Sequence, residues 1–320
     1  MKVVIWGHPL HSHTHSYVHE AYYRAFNFMQ HEVYWFHDDD FPEDFDYENC
    51  VFITEGFADK KIPLRKTSVY FVMYCPSPKK YLEAEVKKYV DMRMIAVNHS
   101  DHIQSYSFDK EKAEKLGPCY YFVGAQPQKI SIKNDYVDYE IDDFDKVYFA
   151  WATNLLPNEI IGEFAFTERK SEIYFFGTLS NVGEGENISN FIPFISAANR
   201  LGIPFRHNDP WRNPLQSDEL IRLTRQSLLG IDIRGKKHID TEVITCRVFK
   251  NVSYGHLGLT NSKAIYEAME GNCLYNSDTE QLLYDGLRNS HDFSFILNAM
   301  NYVKHNHTYV NRITSMLSIL

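Results

Sequence analysis

Arg247 and Lys250, the turn Gly255–Gly258 and a helix start at Thr260-Asn261-Ser262 fall within sixteen residues of one another. Two cations, a close backbone turn and a helix N-terminus with unpaired amides predict an anion site. Asn261 and Ser262 can cap that helix and still leave amides for a phosphate. The helix carries Glu267 and Glu270 and stops at Gly271-Asn272, before a short apolar strand from Cys273 to Tyr275. Glu267, one to two turns in, is placed to hold a ribose hydroxyl pair. Cations, amides and a carboxylate in this order describe a nucleoside-diphosphate pocket. Tyr254 and His256 in the turn, Thr178 after Gly177, and Arg206 are further candidates for it. Each also has an ordinary role open to it: surface cations around Val248-Phe249, plain caps, a solvated helix charge.

A second constellation follows the first apolar run. Gly7-His8-Pro9-Leu10-His11-Ser12-His13-Thr14-His15-Ser16-Tyr17-Val18-His19 holds five histidines. An imidazole titrates near neutral pH, so His13 or His15 can serve as a general base toward a hydroxyl. Glu55, just after Val51-Phe52-Ile53-Thr54, can orient such a ring or act as base itself. His11, His13 and His15 alternate as His-x-His pairs, which is also a metal-ligand spacing. Asp38, Asp39 and Asp40 follow the second strand, but Gly7 stands without a Gly-x-Gly-x-x-Gly turn, so a dinucleotide site is disfavoured.

The elements that must hold these residues alternate between strand and helix. Strands are predicted at Val3–Trp6, Glu32–Phe36, Cys50–Thr54, Val69–Tyr74, Met94–Val97, Tyr120–Val123 and Val147–Trp151, with a helix over Tyr17–Gln30. The scheme restarts with a strand at Glu172–Phe176, a helix at Ile188–Leu201, a short strand at Pro204-Phe205 and a helix capped by Ser217 through Gln226. A strand at Leu228–Ile233 follows, and helices run from Asp278 to Leu320. Apolar runs separated by helices imply parallel sheets of βαβ units, in two doubly wound halves with a cleft between them. The polar junction at 165–171 divides them.

Composition narrows the partners. A net charge of −9 opposes non-specific nucleic-acid binding. No apolar run approaches the ~20 residues of a membrane span, and the N-terminus reads as a strand rather than a secretory signal. Cysteines at 50, 75, 119, 246 and 273 lack zinc-knuckle spacing and are expected to be reduced thiols of a cytoplasmic protein. Nothing in the chain sets the oligomeric state.

Over residues 172–285 the chain resembles a GT-B-type glycosyltransferase. The resemblance rests on the strand ending in Gly177-Thr178, the strand end Ile231-Asp232-Ile233-Arg234, and the run from Arg247-Val-Phe-Lys250 to Asn276. The segment Ala150-Trp151-Ala152-Thr153-Asn154-Leu155-Leu156-Pro157 also looks like the end of an N-terminal domain in that family. It implies two Rossmann-like domains facing a cleft: residues 1–165 for the acceptor, 172–288 for the nucleotide-sugar donor, and 289–320 as helices packing back on the first domain. It further implies transfer of a sugar from a nucleotide-diphosphate sugar to a hydroxyl of a glycan, polysaccharide or small molecule. No metal or other cofactor is expected, because Arg247, Lys250 and a helix N-terminus neutralise the leaving diphosphate. Glu267 and Glu270 are only three residues apart, closer than the glutamate motif of many retaining members, so stereochemistry stays open. The rival readings are a metal-dependent hydrolase built on His11, His13 and His15, a nucleotide-sugar epimerase, and a non-catalytic sugar- or nucleotide-binding module. For the hydrolase, His99, His102, His207 and His238, with Asp101 and Asp240, are further ligand candidates.

Overall fold

The computed structural model describes residues 1–13, 15–56, 58–73, 79–91, 108–109, 120–123, 145–181, 186–210, 212–240, 244–318 and 320. The expected strand at Met94–Val97, together with Cys75, His99, Asp101, His102 and Cys119, lies outside the described residues. The chain divides into two compact units, Met1–Ala150 with Arg312–Leu320, and Trp151–Asn311. The division thus falls at Ala150/Trp151, ahead of the polar junction.

In the first unit, β1 (Lys2–Trp6) pairs in parallel with β2 (Glu32–Phe36) and with β3 (Val51–Thr54). Beyond β3 lie β4 (Val69–Val72), β5 (Lys88–Asp91) and β8 (Asp145–Phe149), also parallel. The far edge departs from the all-parallel expectation: β7 (Tyr120–Val123) runs antiparallel to β8, and β6 (Phe108–Asp109) antiparallel to β7. An antiparallel edge on a parallel sheet is a common closure. The first five strands stand in the order β2-β1-β3-β4-β5. Strand order therefore reverses between β1 and β3, and ligands of open α/β sheets bind outside the carboxyl ends at such a reversal.

Both faces of β1 are covered, which is why Val3-Val4-Ile5-Trp6 is an uninterrupted buried run. Val4 and Trp6 join Phe52, Tyr70 and Tyr81, the last on the short helix α2 (Lys79–Glu83), in one cluster, with Phe52 and Tyr70 stacked at 4.6 Å. Over the other face lies α1 (Ser16–Phe28), which buries Val18, Ala21, Tyr22, Ala25 and Phe26 at helical spacing. Burying a side chain the size of Phe26 contributes about 2 kcal/mol.

In the second unit, β9 (Ile173–Phe176) pairs in parallel with β10 (Phe205–Asn208). A second parallel ladder holds β11 (Gly230–Asp232), β12 (Gly258–Thr260) and β13 (Leu274–Tyr275). The two ladders adjoin through β9 and β11: the Leu228 amide donates to the Glu172 carbonyl at 2.8 Å. The strand order is again 2-1-3-4-5 in local count, and the reversal lies between β9 and β11. Helices α3 (Ile188–Arg200) and α4 (Ser217–Gln226) connect the leading strands. Gln216 is the residue that starts α4, not Ser217, which is already helical. Between β11 and β12 stand α5 (Lys236–Asp240) and α6 (Arg247–Ser253), and α7 (Lys263–Ala268) follows β12. The unit closes with α8 (Thr279–Asn289), capped by Asp278 onto the amides of Glu280 and Gln281, and α9 (Phe293–Asn306). The last helix, α10 (Tyr309–Ser318), passes from the second unit into the first at Arg312, whose Nε donates to the Ala150 carbonyl at 2.8 Å. Among the described residues, no helix is long and apolar enough to cross a membrane.

Candidate active site

The carboxyl ends of β9 and β11 meet two arginines. Asp232, the last residue of β11, is fully buried. Arg234 Nη2 pairs with Asp232 Oδ1 and also reaches Thr245 Oγ1. Arg247, the first residue of α6, places Nη1 3.5 Å from the same Asp232 oxygen and Nη2 3.4 Å from the Phe176 carbonyl. Its guanidinium lies over the Phe175 ring, 4.7 Å from the centroid. Two guanidiniums thus share one carboxylate, which leaves a net positive charge at the strand reversal. Arg247 still exposes 26% of its side chain. Burial, then the Arg234 charge, push its pKa down to about 10, with Asp232 opposing, so it stays cationic at neutral pH. Arg234 is buried, and its Nε–H finds no acceptor among the described residues. A buried donor without an acceptor costs about 1–3 kcal/mol and marks where an incoming oxygen is wanted.

The backbone around this charge is clamped. Asn261 accepts from the Arg234 amide at 2.7 Å and donates back to the Arg234 carbonyl at 3.1 Å. Asn190 of α3 donates to that carbonyl at 2.6 Å. Asn187 holds the loop after β9 by donating to the Thr178 carbonyl at 3.0 Å and accepting from the Ser180 amide at 3.1 Å. Gly177 leaves the space that Arg247 occupies, since a Cβ there meets Arg247 Nη2 at 2.4 Å.

The structure sorts the residues anticipated for this pocket. Arg247, Thr178 and Asn261 come to the carboxyl edge, and Ser262 follows Asn261 there, its amide turned to Thr260 Oγ1 at 3.2 Å. Lys250 lies one turn along α6 and forms no ion pair among the described residues. Arg206 sits in β10 beside Tyr174 and binds Glu172 at 3.0 Å, toward the leading ends of the strands. Glu267 is exposed and pairs with Lys263 at 3.5 Å along α7. Tyr254 and His256 stand at the opposite edge of the sheet. The stretch 247–253 is a helix, so the turn after it delivers the chain to the start of β12 and not to its carboxyl end. There Tyr254 is buried with its hydroxyl on Asn154, and Gly255, at φ +100°, lies so close to Phe164 that a Cβ would be 2.3 Å from its carbonyl oxygen. Asp232 and Arg234 were anticipated only as part of a strand end and not as site residues, and Asn187 and Asn190 not at all.

His256 is a structural residue with a measurable signature. It is buried, and its Nε2 lies 2.5 Å from the Thr224 carbonyl. Burial, then the Arg169 charge, push its pKa to about 3. The folded ring stays neutral while the unfolded chain takes up a proton below its ordinary pKa of about 6.5, so stability falls as pH falls through that range. Between pH 7 and pH 5 this one group should remove about 2 kcal/mol of unfolding free energy. Urea unfolding at both pH values reads it, and His256→Gln should flatten the slope. An unchanged slope in the variant sinks the assignment.

In the first unit, the histidine loop and Glu55 occupy the β1/β3 reversal. Glu55 is only 2% exposed. His15 Nδ1 meets Glu55 Oε1 at 2.7 Å, and His8 Nε2 lies against Oε2. His8 stacks on His13 at 4.3 Å, and His13 meets His15 edge-on at 4.7 Å. Burial would raise the Glu55 pKa; the His15 hydrogen bond and the His15, His8 and His19 charges outweigh it and hold the carboxylate ionised. His19, on α1, is buried against Gly7, where a Cβ would strike its ring at 2.0 Å, and burial drives its pKa to about 3. His11 adopts a left-handed φ of 69° and turns to the Tyr17 hydroxyl at 3.3 Å. The anticipated His13, His15 and Glu55 therefore come together, joined by the unanticipated His8, and His11 does not join them. Of the remaining histidines, His207 binds the Gly177 carbonyl at 2.6 Å, and His238 and Asp240 lie on α5 in the second unit.

No protein-family model matches the chain, and no curated protein does. Among solved structures the chain is similar to T4 phage β-glucosyltransferase, solved with its UDP-glucose substrate, over 99% of both chains at 11% identity and a TM-score of 0.45. It is also similar to the spinosyn rhamnosyltransferase SpnG over 95% of both chains at 10% identity and a TM-score of 0.32. Likeness at these scores is too slight to carry residue roles from those proteins to this one.

Proposed function

We propose that this chain is a glycosyltransferase that moves a sugar from a nucleoside-diphosphate sugar to an acceptor hydroxyl. The observation that carries the reading is the Arg234/Arg247 pair on one buried carboxylate at the β9/β11 reversal, with an Nε–H that has no acceptor among the described residues. That seat wants an anion rich in acceptor oxygens, and a diphosphate supplies one. As the bond between the anomeric carbon and the diphosphate oxygen breaks, its electron pair passes to the diphosphate. The two guanidiniums bind that growing charge more tightly than the ground state, so no metal ion is needed at this seat. The acceptor oxygen bonds to the anomeric carbon and gives its proton to a general base; the candidate that the first unit offers is His15, which Glu55 orients at 2.7 Å. Glycans, polysaccharides and small hydroxylated molecules fit as acceptors.

Thermal shift and calorimetry with UDP, GDP and TDP, free and sugar-linked, test the reading in the presence of chelator. A ligand at a thousand times its dissociation constant adds about 4 kcal/mol of stability, which is easily seen. Folded protein that ignores every nucleoside diphosphate would falsify it. Release of diphosphate that depends on acceptor separates a transferase from a module that only binds.

A further inference from the structure

The first unit carries a second polar centre that the donor seat does not use. His8, His13 and Glu55 each present one ligand atom, and the three lie within 4.8 Å of one another. Glu55 Oε1 is taken up by His15, while Oε2 is buried and completes no aligned hydrogen bond among the described residues, although His8 Nε2 lies against it. A ring nitrogen in contact with a carboxylate oxygen is stabilised by a cation that the two share, either a proton on the ring or a metal ion that both bind.

The ligand chemistry decides between metals. Two imidazoles and one carboxylate form an N2O set that suits zinc and its divalent transition-metal neighbours; calcium and magnesium prefer all-oxygen shells. Metal–ligand bonds of about 2.0–2.2 Å put the donors of a tetrahedral site roughly 3.4 Å apart. No two of the three donors lie more than 4.8 Å apart, so that spacing takes shifts of about 1–1.5 Å in the half-exposed turn that carries His8 and His13, with His8 opening away from its present contact with Glu55. The turn itself brings them together: the Ser12 amide donates to the Pro9 carbonyl at 3.1 Å, which folds the chain back and stacks ring 13 on ring 8. His15 then takes the supporting place that a ligating carboxylate usually has, hydrogen-bonding its second oxygen.

We propose that His8, His13 and Glu55 bind one divalent transition-metal ion of the zinc type, with an open coordination position for water or a substrate oxygen. The site differs from the His-x-His pairs that the sequence offers, because its second histidine comes from five residues upstream and not from two away. It belongs to the first unit and stands whether or not the second unit binds a nucleotide.

The test uses the full chain, stripped with chelator, dialysed, and titrated with cobalt(II) and then zinc, without nucleotide. One cobalt per chain is expected, with the strong visible bands of four- or five-coordination, displaced by zinc, and with a raised Tm. His13→Ala should weaken binding by at least about 100-fold and Glu55→Gln should weaken it similarly. His11→Ala, a histidine of the same loop outside the cluster, should bind as the native chain does. If the buried Glu55 does not tolerate glutamine, the half-exposed His13→Ala decides alone. Weak, six-coordinate cobalt, or binding that survives His13→Ala, overturns the proposal and leaves a proton as the cation between His8 and Glu55. Nucleotide binding in chelator and metal binding without nucleotide fail independently, so neither result masks the other.

Discussion

Replacing Arg247 with alanine should lower kcat/KM for the nucleotide sugar by about 10²–10³-fold while leaving the unfolding midpoint nearly unchanged. The size follows from losing one preorganised donor to a charge that grows in the transition state. The small stability cost follows from Asp232, which keeps its closer partner Arg234 when Arg247 is removed. Gly177→Ala reaches the same defect from the other side, because its Cβ would stand 2.4 Å from Arg247 Nη2; its backbone, at φ +155°, is strained by any side chain, so its unfolding midpoint should fall as well. Isothermal titration with the diphosphate and initial-rate kinetics read both variants. Full affinity in Arg247→Ala would remove the diphosphate from this seat.

Much of the frame was legible in the sequence, and the reasons are local. Val3–Trp6 and Val51–Thr54 are apolar on both faces, which is what central parallel strands require. Once those strands are set, the histidine loop and Glu55 must emerge at the same sheet edge, so their meeting was foreseeable. The error over Tyr254 and His256 has an equally local cause. The run Arg-Val-Phe-Lys-Asn-Val-Ser is short and mixes β-branched residues with Asn and Ser, so its helical propensity is poor, yet packing of Val248, Phe249 and Val252 makes it α6. Missing that one helix moved a turn from one sheet edge to the other. Arg206 was misplaced because β10 runs on through Asn208, which leaves Arg206 in the strand and not after it.

Arg234 and His8 were missed for different reasons. Asp232 and Arg234 alternate with Ile231 and Ile233, and side chains two apart in a strand share a face, so the pairing had a period-2 signal that went unread. His8 had no comparable signal. Its approach to His13 depends on how the Pro9–Ser12 turn closes, and sequence spacing does not encode that.

Asp232→Ala should be the most destabilising single change in the donor seat, costing about 3–5 kcal/mol. The carboxylate is fully buried, and it is the common counter-charge of Arg234, itself buried, and Arg247. Removing it leaves two guanidiniums side by side in a desolvated place with their mutual repulsion uncompensated. Thr260 Oγ1, 3.4 Å from Asp232 Oδ2, loses its acceptor as well. Urea unfolding at constant m measures the loss. An aspartate that balances an anion seat also has a conditional effect that a merely structural one lacks. A bound diphosphate supplies the missing negative charge, so saturating nucleotide should raise the stability of Asp232→Ala more than that of the native chain. Adding Arg247→Ala to Asp232→Ala should return part of the lost stability, since one of the two uncompensated charges is gone. A loss below about 1 kcal/mol, or a nucleotide effect equal in both proteins, means that the arginines do not depend on Asp232 for their charge balance and that the seat is not tuned to an anion.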